Sequence, residues 1–354
     1  MDGSQPQSPP PDRSPRILIL RLSSLGDVVL TLPVLCALRK AFPRAWLAWA
    51  CEPAPARLLR LHPDLDQLII VPKRWLLRPF AIAKLCGQLR RVRFQWAIDV
   101  QGLTKSALLG RLAGACRQVT FATRDARELS PLLATDLVYP RASHIVERNL
   151  QLLQVLGVSE VAPEFRVPAF PQSAERIRAW RGQAGWPERF AIINPGAAWS
   201  SKRWPPERFG AVARYLAAKW AVPSLVVWGS PSEHALAEEV VAHSAGAAAV
   251  APPTSLEDLV ELARQAALFL SADTGPLHLA AAVGTPCVGL YGPWPAERCG
   301  PYGAQHLSVQ KMRLDAPSHV RRKASPQFML AIDVPTVCAA CDQILSRKSQ
   351  SAAA

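Results

Sequence analysis

Short apolar runs alternate along the chain with longer segments whose apolar residues recur at helical spacing. "RILIL" (16–20) passes through a Ser/Gly turn into "DVVLTLPVLCALRKAF", and "AWLAWAC" (45–51), "QLIIV" (67–71) and "WAIDVQ" (96–101) read as further strands. Helices are predicted around 54–61, 79–92 and 104–114. Continuous apolar strands alternating with helices imply a parallel sheet covered on both faces. The pattern stops at "EFRVPAFPQS" (164–173) and restarts, with strands at 190–196, 223–229, 248–253, 268–273 and 287–292. Helices of this second part fall near 173–184, 206–219, 232–244, 255–266 and 276–283. The expectation is an α/β chain of two Rossmann-like halves, 16–167 and 168–325, followed by a helix at 326–345 that could pack back across the first half. Ligands of such sheets bind at the carboxyl ends of the strands. The polar, Pro/Ser-rich leader 1–15 and the tail 346–354 show no such period and read as disordered.

A length of 354 residues fits about two domains. No apolar run reaches the roughly 18 residues of a membrane-spanning helix, and the leader lacks the apolar core of a signal peptide, so a cytoplasmic location is expected. The eight cysteines are scattered and read as free thiols. Cys338 and Cys341 have a tempting spacing, but they sit in a terminal amphipathic segment with no second Cys/His pair, too few ligands for zinc. No metal site is expected.

The net charge of +14 is uneven: residues 1–166 hold 23 Lys/Arg against 13 Asp/Glu, so +10 of it lies there. A basic half suits an anionic partner, whether nucleic acid, membrane surface or phosphorylated substrate, or is simply a solvated face. No zinc-finger spacing or RNP-type aromatic motif appears, which sets nucleic acid aside.

Four stretches carry candidate chemistry. In "ILRLSSLGDVVLTLP" (19–33), Gly26 permits a tight turn and Asp27 opens a helix. That residue suits an N-terminal cap and equally a carboxylate acting as general base. "INPGAAWSSKRWPPERF" (193–209) joins a strand to a helix through Gly196, Ser200, Ser201 and Lys202, a combination able to cradle phosphate; Trp204 is read as a packing anchor. In "VVWGSPSEHALAEEV" (226–240), Glu233 could cap the helix or accept hydrogen bonds from a ribose, and the segment alone favours capping. In "FLSADTGPLHLAAAVGTPCVGLYG" (269–292), Asp273 ends a strand, Pro276 suits a first helical turn and Gly284 a stop. An aspartic protease needs two such carboxylates, whereas this chain has one Asp-Thr-Gly in an α/β setting. A helix N-terminus offered to an anion fits better.

Taken together, these stretches resemble glycosyltransferase family 9, the ADP-heptose–lipopolysaccharide heptosyltransferases. The match is collinear over about 16–345 and includes "SSLGDVVLTLP", "DVQGLTKSALLGRLAG", "RDARELSPLL", "HIVERNLQLLQVLG", "NPGAAWSSKRWPPERF", "SADTGPLHLAAAVGTP" and "LYGPW". The QGL-x-KS segment is most like the heptosyltransferase I branch, which acts on Kdo of the inner core. The resemblance implies a GT-B fold, two Rossmann-like domains facing across a cleft with a C-terminal helix crossing back. It implies inverting heptose transfer from an ADP-sugar to a phosphorylated Kdo-lipid A acceptor, without an obligatory metal or other cofactor. The family's general base matches Asp27, its phosphate-binding lysine Lys202, and its adenosine-binding acid Glu233. Its diphosphate-contacting residues match Asp273, Thr274, Gly275 and His278. Lys105 and Arg127, with Ser24 and Gly26 of the first turn, match the acceptor side.

One departure stands out: where the family branch carries a Thr pair ahead of the lysine, this chain has Ala197 and Ala198. Hydroxyl contacts to phosphate would then come from Ser200 or Ser201, or be replaced by backbone amides. The basic first half would hold the acceptor at the cytoplasmic face of the inner membrane. Two other readings fit the same residues, a nucleotide-sugar transferase with another acceptor and a non-catalytic nucleotide-sugar-binding module.

Overall fold

The computed structural model describes residues 14–122 and 126–353. The expected leader 1–15 therefore falls almost wholly outside the described residues. The chain divides into two compact units, Met1–Pro168 and Ala169–Ala354.

The first unit is built on β1 (Arg16–Leu20), β2 (Trp46–Cys51), β3 (Gln67–Ile70), β4 (Trp96–Asp99), β5 (Arg117–Phe121) and β6 (Asp136–Val138). They form one sheet in the order β3-β2-β1-β4-β5-β6, every pair parallel. β1 and β2 are buried almost end to end, as strands covered on both faces must be. The second unit repeats the design with β7 (Ala191–Asn194), β8 (Ser224–Val226), β9 (Ala248–Val250), β10 (Leu268–Ala272), β11 (Cys287–Tyr291) and β12 (Leu307–Gln310). Its order is β12-β11-β10-β7-β8-β9, again all parallel. Counted from its own first strand, each sheet runs 3-2-1-4-5-6, the doubly wound order. The strand order reverses between β1 and β4 and between β7 and β10. Registers Leu20↔Asp99 and Ser271↔Asn194 set the carboxyl ends of these pairs side by side.

The structure corrects the expected elements in four places. Strands β5, β6 and β12 were not anticipated. The long first helix is two, Leu25–Val29 and Leu32–Ala41, because Pro33 lies in the first turn of the second and starts a new helix. The terminal segment is also two helices, Gln327–Leu330 and Val334–Ala353, separated where Asp333 accepts the Thr336 N–H at 2.7 Å. Finally, that last helix runs through the tail expected to be disordered, which is rich in good helix formers. Val337, Cys338, Cys341, Ile344 and Leu345 of this helix join Phe209, Val212 and Leu216 in the core of the second unit. The Cys338 and Cys341 thiols are thus core groups, and burial raises the pKa of both. Among the described residues, no helix is long and apolar enough to cross a membrane.

Candidate active site

In the second unit the candidate residues gather at the strand-order reversal. β10 stops at Ala272, and Thr274 caps the Gly275–Ala282 helix by accepting the Leu277 N–H. The Asp273 side chain, held between strand end and helix start, is 9% exposed. One carboxylate oxygen takes a hydrogen bond from the Lys202 ammonium, and the other lies 3.2 Å from His278 Nε2. Lys202 Nζ also donates to the Asp273 carbonyl at 3.3 Å and stands 4.3 Å from the centre of the Trp294 ring. Burial opposes ionisation of Asp273, but Lys202 and His278 outweigh it and hold the carboxyl at about 2. Asp273 is therefore an anion whose office is to fix the lysine, and it would repel a phosphate that approached it directly. The groups able to receive an anion there are the Lys202 ammonium and the amides at the helix end.

The loop after β7 supplies the other wall. Asn194, the last residue of that strand, donates from Nδ2 to Ser271 Oγ at 2.9 Å and to Thr274 Oγ1 at 3.2 Å, locking the two strand ends together. Its role had no signal in the sequence beyond a polar residue closing an apolar strand. Of the two hydroxyl candidates, Ser201 is buried and donates to the Arg322 carbonyl at 3.1 Å, whereas Ser200 is exposed. Trp204 is 1% exposed and bonded to the Ile332 carbonyl, a packing anchor as expected. Glu233 accepts the Gly229 N–H at 2.9 Å, and its own N–H goes to the cap Ser230. The carboxylate presses on the loop after β7: a Cβ at Gly196 would lie 2.5 Å from Glu233 Oε1. The helix cap is thus Ser230 and not Glu233, whose carboxylate instead ties the β8 loop at Gly229 and abuts the β7 loop at Gly196.

In the first unit the corresponding reversal carries Asp27. Its carboxylate accepts Arg21 Nη2 at 2.5 Å, the Ser24 N–H at 3.0 Å and the Ser24 hydroxyl at 2.9 Å, while the side chain stays 42% exposed. The capping role is therefore realised, and the same three donors orient the carboxylate toward solvent. Gly26 is buried in the turn. Arg21, the first residue beyond β1, was not singled out in the sequence; it also bonds the Val100 carbonyl at 2.9 Å.

Next door, Asp99 closes β4 without exposure and accepts the Gln101 N–H, the Gly102 N–H and the Ser130 hydroxyl at 3.0–3.2 Å. Burial pushes its carboxyl up to about 6. These bonds shape the loop that presents Lys105, which pairs with Glu52 at 3.1 Å. The Arg127 N–H bonds the Gly102 carbonyl at 2.8 Å, bringing exposed Arg127 to the same strand end. Ser24, Gly26, Asp27, Lys105 and Arg127 therefore share one edge of this unit. Metal-ligand types gather in one place among the described residues: Cys36, His62 and Asp64 are buried with ligand atoms within 4.8 Å of one another. The Arg166 guanidinium, 3.3 Å from Asp64, already supplies a positive charge there.

Comparison with known proteins agrees with this geometry. Glycosyltransferase family 9 (heptosyltransferase) matches residues 82–328. Lipopolysaccharide heptosyltransferase 1 of Pseudomonas aeruginosa is 30% identical over 304 residues, 83% of either chain. Among solved structures, a family 9 glycosyl transferase of Veillonella parvula superposes with a TM-score of 0.82 at 23% identity, covering 94% of this chain and 98% of that one. The heptosyltransferase WaaC of E. coli with ADP-2-deoxy-2-fluoro heptose does so with a TM-score of 0.70 at 25% identity, covering 94% and 99%.

Proposed function

Because the chain belongs to glycosyltransferase family 9 and is a GT-B glycosyltransferase, we propose that it transfers a heptose from an ADP-sugar to the Kdo of the lipopolysaccharide inner core. The observation that carries this reading is the Lys202–Asp273–His278 cluster at a helix N-terminus where the strand order reverses. It supports a diphosphate site: the departing ADP gains negative charge, and a lysine already aimed by a buried carboxylate needs no reorganisation to receive it. Relatives named for heptose transfer to lipopolysaccharide, and one solved with an ADP-heptose analogue, support the donor and acceptor.

In this reading Asp27 takes the proton of the acceptor hydroxyl as the anomeric carbon inverts in one displacement. Arg21 and Ser24 restrict its rotamers, so the base is positioned before the acceptor arrives. Ser24, Gly26, Lys105 and Arg127 line the acceptor side, where basic groups suit an acidic, phosphorylated lipid. Ser200, Lys202, Glu233, Thr274, Gly275 and His278 serve the donor. Ser201 serves it through the loop it anchors, since its own hydroxyl is spent on Arg322. The reaction asks nothing of a metal in this scheme. The protein works in the cytoplasm, peripheral to the inner membrane where its acceptor is anchored.

The test is mass spectrometry of products after incubation with ADP-heptose and Kdo-lipid A, run beside other nucleotide sugars. The expected result is one added heptose from ADP-heptose alone. Asp27→Asn should lower transfer by about 10²–10⁴-fold with ADP binding retained. Loss of ADP binding as well would make Asp27 a purely structural cap.

A further inference from the structure

The most one-sided surface of the first unit lies between β3 and β4. From Asp66 to Asp99 the sequence has no acidic residue between those two, yet it carries Lys73, Arg74, Arg78, Lys84, Arg90, Arg91 and Arg93. Within this span the turn 75–77 and the helix Pro79–Val92 set two apolar side chains into solvent, Leu77 at 77% and Phe80 at 92% exposure. Lys73, Arg74, Arg78 and Lys84 around them are exposed, and none forms an ion pair among the described residues.

The tips do not belong to a slack loop. Trp75, just ahead of them in the chain, is 3% exposed and packs with Ile69, Leu85 and Leu89 in the core of the unit. The Leu77 N–H bonds the Arg74 carbonyl at 3.0 Å and the Arg78 N–H bonds that of Trp75 at 3.0 Å, closing the turn. The helix then buries Leu85, Leu89 and Val92 and turns Phe80 and Lys84 outward. With Leu76, itself 41% exposed, these side chains make an apolar patch ringed by cations, the kind of surface that marks an interaction site where a lone exposed leucine would not. A soluble anion would be met by the cations alone and would have no use for Leu77 and Phe80. An anionic bilayer has use for both: its headgroups take the cations and its acyl boundary takes the apolar tips.

We infer that residues 73–84 form a membrane-docking surface, in which Leu77 and Phe80 enter the acyl boundary of an anionic phospholipid leaflet and Lys73, Arg74, Arg78 and Lys84 sit among its headgroups. The inference rests on the reading that the acceptor is membrane-anchored, and it assigns that attachment to one rigid feature of the first unit.

The experiment is flotation of the full chain with vesicles of phosphatidylethanolamine and phosphatidylglycerol, beside vesicles of phosphatidylcholine alone, at low and high salt. The full chain is expected to float with the anionic vesicles and to be released by salt. Leu77→Ser with Phe80→Ser should weaken partitioning about tenfold, and Lys73→Ser with Arg78→Ser about tenfold at low salt only. Thermal unfolding should be unchanged in both pairs, since all four side chains are exposed. Transfer to a water-soluble, deacylated acceptor should also persist in the Leu77/Phe80 pair. Wild-type flotation that both pairs leave intact would overturn this surface while sparing peripheral attachment. Failure of the wild-type chain to float would overturn both. Sedimentation showing a dimer that Leu77→Ser with Phe80→Ser dissolves, with flotation unaffected, would make the patch an interface between copies and overturn the docking assignment.

Discussion

Asp273 illustrates how little a carboxylate's role is fixed by its three-residue motif. Its position after a strand and before Thr274 was plain in the sequence, but its direction was not, since Lys202 lies 71 residues away in the chain. Folding turns the carboxylate onto Lys202 and His278. Lys202→Ala removes the fixed positive charge and leaves Asp273 a buried anion without its main partner. Transfer measured by ADP release is expected to fall about 10²–10³-fold, and full activity in this variant would take the lysine out of the mechanism. Gly196 makes a second, subtler case. An added Cβ meets the end of a flexible side chain, Glu233, rather than backbone. Gly196→Ala should therefore fold normally but push Glu233 off the Gly229 N–H. ADP affinity measured by calorimetry should weaken by roughly tenfold, the equivalent of about one lost hydrogen bond. An unaltered affinity would show that Glu233 need not hold its place for the donor.

At the scale of elements, the strands that carry the site were legible because they are short, apolar and followed by Gly or Asp turns. β5 was missed for a physical reason. Its buried Gln118 and Thr120 read as polar surface, yet Gln118 bonds the Ala107 carbonyl at 3.1 Å and Thr120 that of Asp99 at 3.0 Å. Thr120 is thereby satisfied and costs little to bury, and Gln118 is held through its amide N–H although its Oε1 is buried without a partner, so the strand forms without an apolar signature. The first helix read as one because periodicity continues across Leu30–Pro33, and only the backbone consequence of Pro33 divides it. The terminal helix, expected at 326–345, runs Val334–Ala353 after a separate helical turn at Gln327–Leu330, and its attachment was not visible. It is tied to the Pro206–Trp220 helix by Asp342, which accepts from Tyr215, Lys219 and Trp220 at 2.7–2.8 Å. Burial opposes ionisation of Asp342, but those three donors hold its carboxyl below the ordinary range. Asp342→Ala strands three donors together and should destabilise the second unit by about 1–3 kcal/mol in denaturant titration. A loss below a few tenths would mean that apolar packing alone seats the helix.

At the scale of the whole molecule, two copies of one sheet design should respond differently to acid, because each buries its own titrating groups. In the second unit His306 accepts the Cys287 N–H at 3.2 Å, and burial lowers it to about 4. Its unfolded form binds a proton near 6.5, so between about 6.5 and 4 the unfolded state holds more protons. Stability contributed by the neutral ring is present above that window and is lost as pH falls through it, up to about 3 kcal/mol. In the first unit His62 is likewise lowered to about 4 by burial. Asp99 works the other way: burial raises it to about 6, so its folded state holds the extra proton between about 6 and 4 and gains stability as pH falls. The two effects oppose each other in the first unit, while among the described residues of the second no carboxyl is raised to offset His306. Protection factors from hydrogen exchange should therefore decline in β7–β12 as pH is lowered from about 6.5 to 4, and much less in β1–β6. Removing the counterweight with Asp99→Asn should make the first unit acid-labile in the same window. His306→Gln, which keeps an acceptor for the Cys287 amide but cannot ionise, should flatten the decline in the second. Equal acid sensitivity of the two units in the wild-type protein would place the responsible groups elsewhere.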